Sequence, residues 1–143
     1  MVYTALTKKA MRIAFEAHKE QTDKNGIPYI YHPIHLAEQM SDEVSTCVAL
    51  LHDVVEDTDL NWEQLEAEGF TPEILAALRL LTHEEQVPYM DYIADMKQND
   101  LAVTVKLADL RHNSDLTRLD EVDEKALARV QKYRQAIAVL TNE

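Results

Sequence analysis

The sequence predicts an all-α fold, a single compact helical bundle of roughly six to eight helices spanning residues 1–143. Three observations support it. Apolar residues recur at three- and four-residue spacing along most of the chain, the signature of amphipathic helices. Only two glycines and four prolines are present, too few for the many tight turns of a β-rich fold. Helix-start residues (Ser, Thr, Asp or a first-turn Pro) stand just ahead of the periodic segments. Hydrophobic residues make up 46% of the chain, which excludes disorder and supplies one sizeable core.

Taken in order, Ala10, Ile13, Ala14, Ala17 and His18 predict a first helix from about Thr4 to Glu20. "TDKNGIPYIYHP" ends it, with Asn25-Gly26 as a turn and with Pro28 and Pro33 stiffening a loop. A short second helix covers Ile34 to Met40. "SDEVSTCVALLHDVVED" reads as one third helix with Ser41 or Asp42 as its N-cap. "NWEQLEAEG" is a short helix stopped by Gly69, and Thr71-Pro72 opens the next with a capping hydroxyl and a first-turn proline. Pro88 starts a helix through Met96, Asp100 caps "LAVTVKLADLRHNSDL", and Asp123 caps a last helix ending near Leu140. No repeat, linker or low-complexity tract interrupts the series.

Charge narrows the function classes. Lys and Arg total 14 against 26 Asp and Glu, a net charge of −12. Such a chain repels nucleic acid and anionic membrane unless its cations are gathered on one face, so neither is an expected partner. The lone Cys47 lies in an apolar run and reads as a buried thiol in a reducing compartment. The sequence shows no secretory signal, lipidation pattern or bilayer-length apolar stretch, and the expected location is cytoplasmic. Its composition is silent on oligomeric state.

Against this background "LLHDVVEDTD" stands out, because it sets His52, Asp53, Glu56 and Asp57 directly after an apolar run. On a continuous helix Glu56 lies about 40° and Asp53 about 100° from His52, so the three share a face. A second cluster, "VKLADLRHN", places Asp109, His112 and Asn113 on one face with Lys106 a turn earlier. His32 stands between prolines in "PYIYHP". Separately, each has a plain alternative: loop packing for His32, an exposed acidic helix end for the HD and ED pairs, a partnered structural aspartate for Asp109, a capping amide for Asn113. For Lys106 a solvated or ion-paired side chain weighs equally with a ligand contact. His112 and His18 read as packing or supporting residues. Together, the imidazoles and carboxylates form a nitrogen- and oxygen-rich set suited to manganese, iron or zinc, and a dication would offset the desolvation of these carboxylates.

"YIYHP", "LLHDVVEDTD" and "VKLADLRHN", in that order, resemble the HD-domain phosphohydrolases. The similarity is strongest to the hydrolase domain of Rel/SpoT-type alarmone enzymes and to the small alarmone hydrolases, and it extends from about Ala10 to about Leu119 and takes in the last helix. The resemblance implies a divalent metal, usually Mn²⁺, held by His32, His52, Asp53 and Asp109. It implies that Glu56 and Asp57 position or deprotonate the attacking water and that Asn113 holds substrate. Lys24, Lys106, Arg129 and Tyr133 are its candidate substrate contacts, the last two spaced i and i+4 in "RVQKY". The activity implied is 3′-pyrophosphohydrolysis of guanosine 3′,5′-bis(diphosphate). Two departures bear on the substrate. Where relatives carry an Arg-Lys pair this chain has Asp23-Lys24, and after "LLT" it has His83, Glu84 and Glu85. Loss of cations there weakens phosphate binding, which keeps open an HD phosphohydrolase for another nucleotide or phosphoester. A non-catalytic ligand-sensing module of the same fold is the third reading, against which the intact Glu56/Asp57 pair counts.

Overall fold

The computed structural model describes Met1–Asn142, and the fold over those residues is all-helical. In chain order the α-helices are α1 (Ala5–His18), α2 (Tyr31–Glu38), α3 (Glu43–Leu51), α4 (Val54–Asp57), α5 (Trp62–Ala67), α6 (Pro72–Leu81), α7 (Tyr89–Asp95), α8 (Asp100–Asn113) and α9 (Glu124–Thr141). Short 3₁₀ turns cover Met96–Gln98 and Leu116–Arg118. Among the described residues the isolated bridge recorded is that between Thr22 and Pro28.

α3 is the centre of the molecule. Ser45 through Leu51 are all buried, and the helix packs against α1, α2, α6 and α8. A helix that is apolar on every side must be covered on every side. This run ends at Leu51, so whatever follows emerges from the core at its edge. Asp42 caps α3 by accepting the Ser45 N–H at 2.8 Å, Thr71 caps α6 ahead of Pro72, and Asp123 caps α9 by accepting the Ala126 N–H at 2.8 Å.

Three local departures from the sequence expectations, and one loop, matter for the site. The expected third helix divides: Asp53 adopts φ −108° and ψ 0°, and the chain restarts as α4. α2 begins at Tyr31, so His32 and Pro33 belong to its first turn rather than to a stiff loop. Proline is compatible there because the first-turn N–H groups have no intrahelical partner. α8 is capped by Asn99, whose side chain accepts the Ala102 N–H at 2.9 Å, and Asp100 sits inside the first turn. The loop before α2 is tied by Asp23, whose Oδ1 accepts the N–H groups of Asn25 at 2.8 Å and Ile27 at 3.1 Å. Gly26 closes that loop at φ +79°, a conformation that a side chain would strain.

Candidate active site

Three elements deliver four side chains to one point. His32 comes from the first turn of α2, His52 and Asp53 from the break between α3 and α4, and Asp109 from the middle of α8. One donor atom from each lies within 4.8 Å of all the others. At this break His52 Nε2 lies 3.0 Å from Asp53 Oδ2. His32 Nε2 lies 2.8 Å from Asp109 Oδ1 and 3.9 Å from Asp53 Oδ2, and His52 Nε2 lies 3.5 Å from Asp109 Oδ1.

The hydrogen bonds around the cluster test whether it suits a cation. His52 Nδ1 is 2.7 Å from the Ala49 carbonyl, which can only accept, so Nδ1 carries the proton. Nε2 of a neutral His52 then presents a lone pair to the carboxylates. It is buried and has no hydrogen-bond partner. A lone pair facing carboxylate oxygens at 3.0 and 3.5 Å calls for a positive charge between them. Tyr29 donates its phenol to Asp53 Oδ2. Asn113 Nδ2 donates to Asp109 Oδ1 at 3.0 Å, and Lys106 Nζ donates to Asp109 Oδ2 at 2.9 Å. Such outer contacts orient ligating side chains. The residues present fit a first-row divalent ion.

In the protein alone, a proton on His52 supplies that positive charge. Burial opposes a charged His52, yet Asp53 and Asp109 outweigh it and hold the imidazole pKa well above its ordinary value. Burial likewise opposes an ionised Asp109, but Lys106 and the two imidazoles hold this carboxyl well below the usual range. Asp57 behaves differently. Partial burial, with Asp53 and Glu56 nearby, pushes its pKa up to about 6. For His112, burial and then the Arg118 guanidinium push the pKa down to about 4.

Two of the cavities that border the cluster adjoin one another. One, of about 370 Å³, is lined by Asp53, Glu56, Asp57, Lys106, Asp109 and Lys132, among others. The second, of about 340 Å³, is lined by Lys24, Arg118, Arg129 and Val130, among others. Tyr29, Asn113 and Tyr133 line both, so the two form adjoining lobes. Apart from the buried His52, the candidate site residues from the sequence line this region, though not in equal standing. Lys106 is committed to Asp109, which favours its ion-paired reading. Glu56 Oε1 accepts the His83 N–H at 2.7 Å and so anchors the segment after α6. Gln21 binds Asp57 through its main-chain carbonyl, leaving the carboxylate for the cavity.

A match to the HD domain family covers residues 10–137. The chain belongs to that family. This HD domain is 33% identical to the guanosine-3′,5′-bis(diphosphate) 3′-pyrophosphohydrolase MESH1 of Danio rerio, over 91% of this chain and 79% of that protein. It is 32% identical to the bifunctional (p)ppGpp synthase/hydrolase SpoT of Escherichia coli strain K12 over 74% of this chain. It is 33% identical to the GTP pyrophosphokinase of Myxococcus xanthus over 87% of this chain. The HD domain spans only 17% and 18% of those two longer proteins. A solved structure of a metazoan SpoT ortholog matches the fold with a TM-score of 0.77 at 24% identity, over 99% of this chain and 89% of that one.

Sequence reasoning missed Tyr29, Lys132 and Arg118. Tyr29 precedes His32 by three positions, a spacing that becomes informative only once α2 is known to start at Tyr31. Lys132 lies 4.5 Å over the Tyr89 ring and 5.5 Å from the Tyr133 ring, adjacent in sequence to a residue already singled out. Arg118 carried no signal, because its value lies in what the fold brings near. Its Nη1 donates to the His112 carbonyl at 2.8 Å and reaches Asn113 Oδ1 at 3.5 Å, while Nη2 lies 3.9 Å from Asp23.

Proposed function

We propose that this HD domain is a metal-dependent 3′-pyrophosphohydrolase of guanosine 3′,5′-bis(diphosphate), releasing GDP and pyrophosphate. The convergence of His32, His52, Asp53 and Asp109 on one point carries the reading, and the 3′-pyrophosphohydrolase relative that aligns with 91% of the chain supports it. A divalent ion, with Mn²⁺ expected and Fe²⁺ or Zn²⁺ as alternatives, would be held by those four residues and would acidify a water and polarise a phosphoryl oxygen.

The chain's own residues divide the remaining tasks. Asp57 takes the proton of the attacking water, for which a carboxylate with its pKa pushed up to about 6 and facing the cavity is suited. Glu56 holds the His83 segment that forms the wall of the same cavity. The water oxygen bonds to the phosphorus next to the ribose, the bond from that phosphorus to O3′ breaks, and O3′ takes up a proton. Lys132 stands beside the metal-side lobe to meet the departing pyrophosphate. Lys24, Arg118 and Arg129 receive the nucleotide in the other lobe, while Asn113 and Tyr133, bordering both, meet the ribose between them.

Asp23 takes a different meaning from the one its sequence position suggested. Its carboxylate organises the loop through Asn25 and Ile27 and faces Arg118, so a cation stands in this lobe even though the loop position itself is acidic. Arg118 is the cation that supports phosphate recognition in this lobe beside an acidic loop position.

The test is incubation of manganese-loaded protein with guanosine 3′,5′-bis(diphosphate) and separation of the products. Equimolar GDP and pyrophosphate are expected, and Asp57→Asn should retain manganese while slowing turnover by about 10²–10⁴-fold. Turnover of other nucleotides with none of this substrate would replace the substrate assignment. No turnover of any nucleotide by manganese-loaded protein would favour a ligand-sensing role.

A further inference from the structure

His112 lies outside the four-residue donor set and has no part in the steps above. Its geometry is nevertheless specific. The His112 and His32 rings are 9° from parallel with centroids 5.0 Å apart, and their Nδ1 atoms face one another at 2.7 Å. With nitrogens so much closer than centroids, the rings meet edge to edge, one N–H donating to one lone pair. They are not stacked. His35 lies against the face of His112, with centroids 4.1 Å apart at 27°, which keeps the ring in that plane. His32 and His35 are one turn apart on α2, and Asp109 and His112 are one turn apart on α8. The helix pair that supplies two of the four donors thus also supplies this contact.

Proton accounting gives the contact a role. A neutral His32 that offers its Nε2 lone pair to a cation must carry its proton on Nδ1. That N–H needs an acceptor, and His112 Nδ1 is the atom at hydrogen-bond distance. The reverse arrangement has His112 donating and His32 carrying its proton on Nε2, where Asp109 Oδ1 accepts at 2.8 Å. That arrangement closes Nε2 to a cation. The ring of His112 therefore selects between a His32 that binds metal and one that does not.

We propose that His112 is a positioning residue of the metal centre: by accepting a hydrogen bond at Nδ1, it fixes His32 in the tautomer and orientation that leave Nε2 open to a divalent cation. The inference rests on the metal site proposed above. It is tested by titrating Mn²⁺ into the full chain, metal-free at the start, for wild type, His112→Leu and His112→Asn. Leucine fills much of the ring's space without an acceptor, whereas the asparagine oxygen can stand near the place of Nδ1. His112→Leu should bind manganese about 10- to 100-fold more weakly, the usual effect of losing a partner of a metal-bound imidazole. His112→Asn should retain most of the wild-type affinity. Equal affinity in His112→Leu and wild type overturns the proposal, as does an asparagine variant no better than leucine, which would mean that the ring only packs. If His112→Leu does not fold, nitrogen NMR of the histidines in zinc-loaded wild type decides. Protons on His32 Nδ1 and His112 Nε2 are expected, and a proton on His112 Nδ1 overturns it. Wild-type protein that takes up no metal defeats the metal site itself, a result separate from any difference among the variants.

Discussion

Asp109 shows how single residues make this site possible. A buried carboxylate beside another carboxylate is unfavourable by several kcal/mol unless positive charge is close. Here Lys106 supplies part of that charge within the protein, 2.9 Å from Asp109 Oδ2. A cation at the donor cluster would supply the rest, so the metal is not the sole compensation that the sequence suggested. Lys106→Met is expected to destabilise metal-free protein by about 3–5 kcal/mol, the usual result of stripping a buried charge of its partner. Urea unfolding in chelator reads this, and added Mn²⁺ should recover part of the loss. Unchanged unfolding would show that Asp109 is compensated elsewhere. Asp57 illustrates the opposite balance. Its native pKa is pushed up to about 6, above that of an unfolded-chain carboxylate. The native state therefore holds the proton more tightly, and stability declines as pH rises from the ordinary carboxylate range through about 6. Metal-free Asp57→Asn should melt above wild type at neutral pH, with the difference vanishing below the ordinary carboxylate range, although the same change slows turnover. A variant that melts below wild type at neutral pH would contradict the shift.

At the scale of elements, the break between α3 and α4 does most to build the site. A buried apolar helix carries His52 to the edge of the core, and the turn at Asp53 brings the next side chain to the same side. The four residues that converge were legible in the sequence, because imidazoles and carboxylates set against apolar runs in "YIYHP", "LLHD" and "KLAD" call for charge compensation. The sequence did not reveal the break, since HDVVED has good helical patterning. The start of α2 was illegible for a similar reason: Pro33 suits a stiff loop and a first helical turn equally well. Most caps were easier to read, because the bond is local, although α8 is capped by Asn99 and not by Asp100. Asp42 accepts from the Ser45 N–H and hydroxyl, which holds its pKa below the ordinary value. Asp42→Ala is expected to lower stability by about 1 kcal/mol at neutral pH. Because the native pKa is depressed, the wild-type advantage is present above the ordinary carboxylate value and is lost as pH falls through the depressed one. Chemical unfolding at neutral and acid pH measures this, and a pH-independent difference would mean that the carboxylate is not the cap.

Across the whole molecule, a net charge of −12 coexists with a cleft in which Lys24, Arg118, Arg129 and Lys132 stand among Asp23, Asp115 and the acidic cluster. The contribution of Arg118 depends on the Leu116–Arg118 turn lying against the Asp23 loop, a tertiary arrangement that no local pattern encodes. Arg118→Gln should raise KM for guanosine 3′,5′-bis(diphosphate) with less change in kcat if the contact is equally strong in ground and transition states. Steady-state kinetics test this, and an unchanged KM would remove Arg118 from the binding lobe. Among the described residues no helix is long and apolar enough to cross a membrane. Everything proposed for the site depends on one cation occupying one point, and an anomalous difference map from crystals of manganese-loaded protein, collected at the manganese edge, examines that point directly. A single peak is expected within about 2.0–2.2 Å of His32 Nε2, His52 Nε2 and an oxygen of each of Asp53 and Asp109, the usual range for first-row ions at nitrogen and oxygen ligands. A peak elsewhere, or no peak while these four side chains keep their positions, would contradict the metal site and with it the hydrolase.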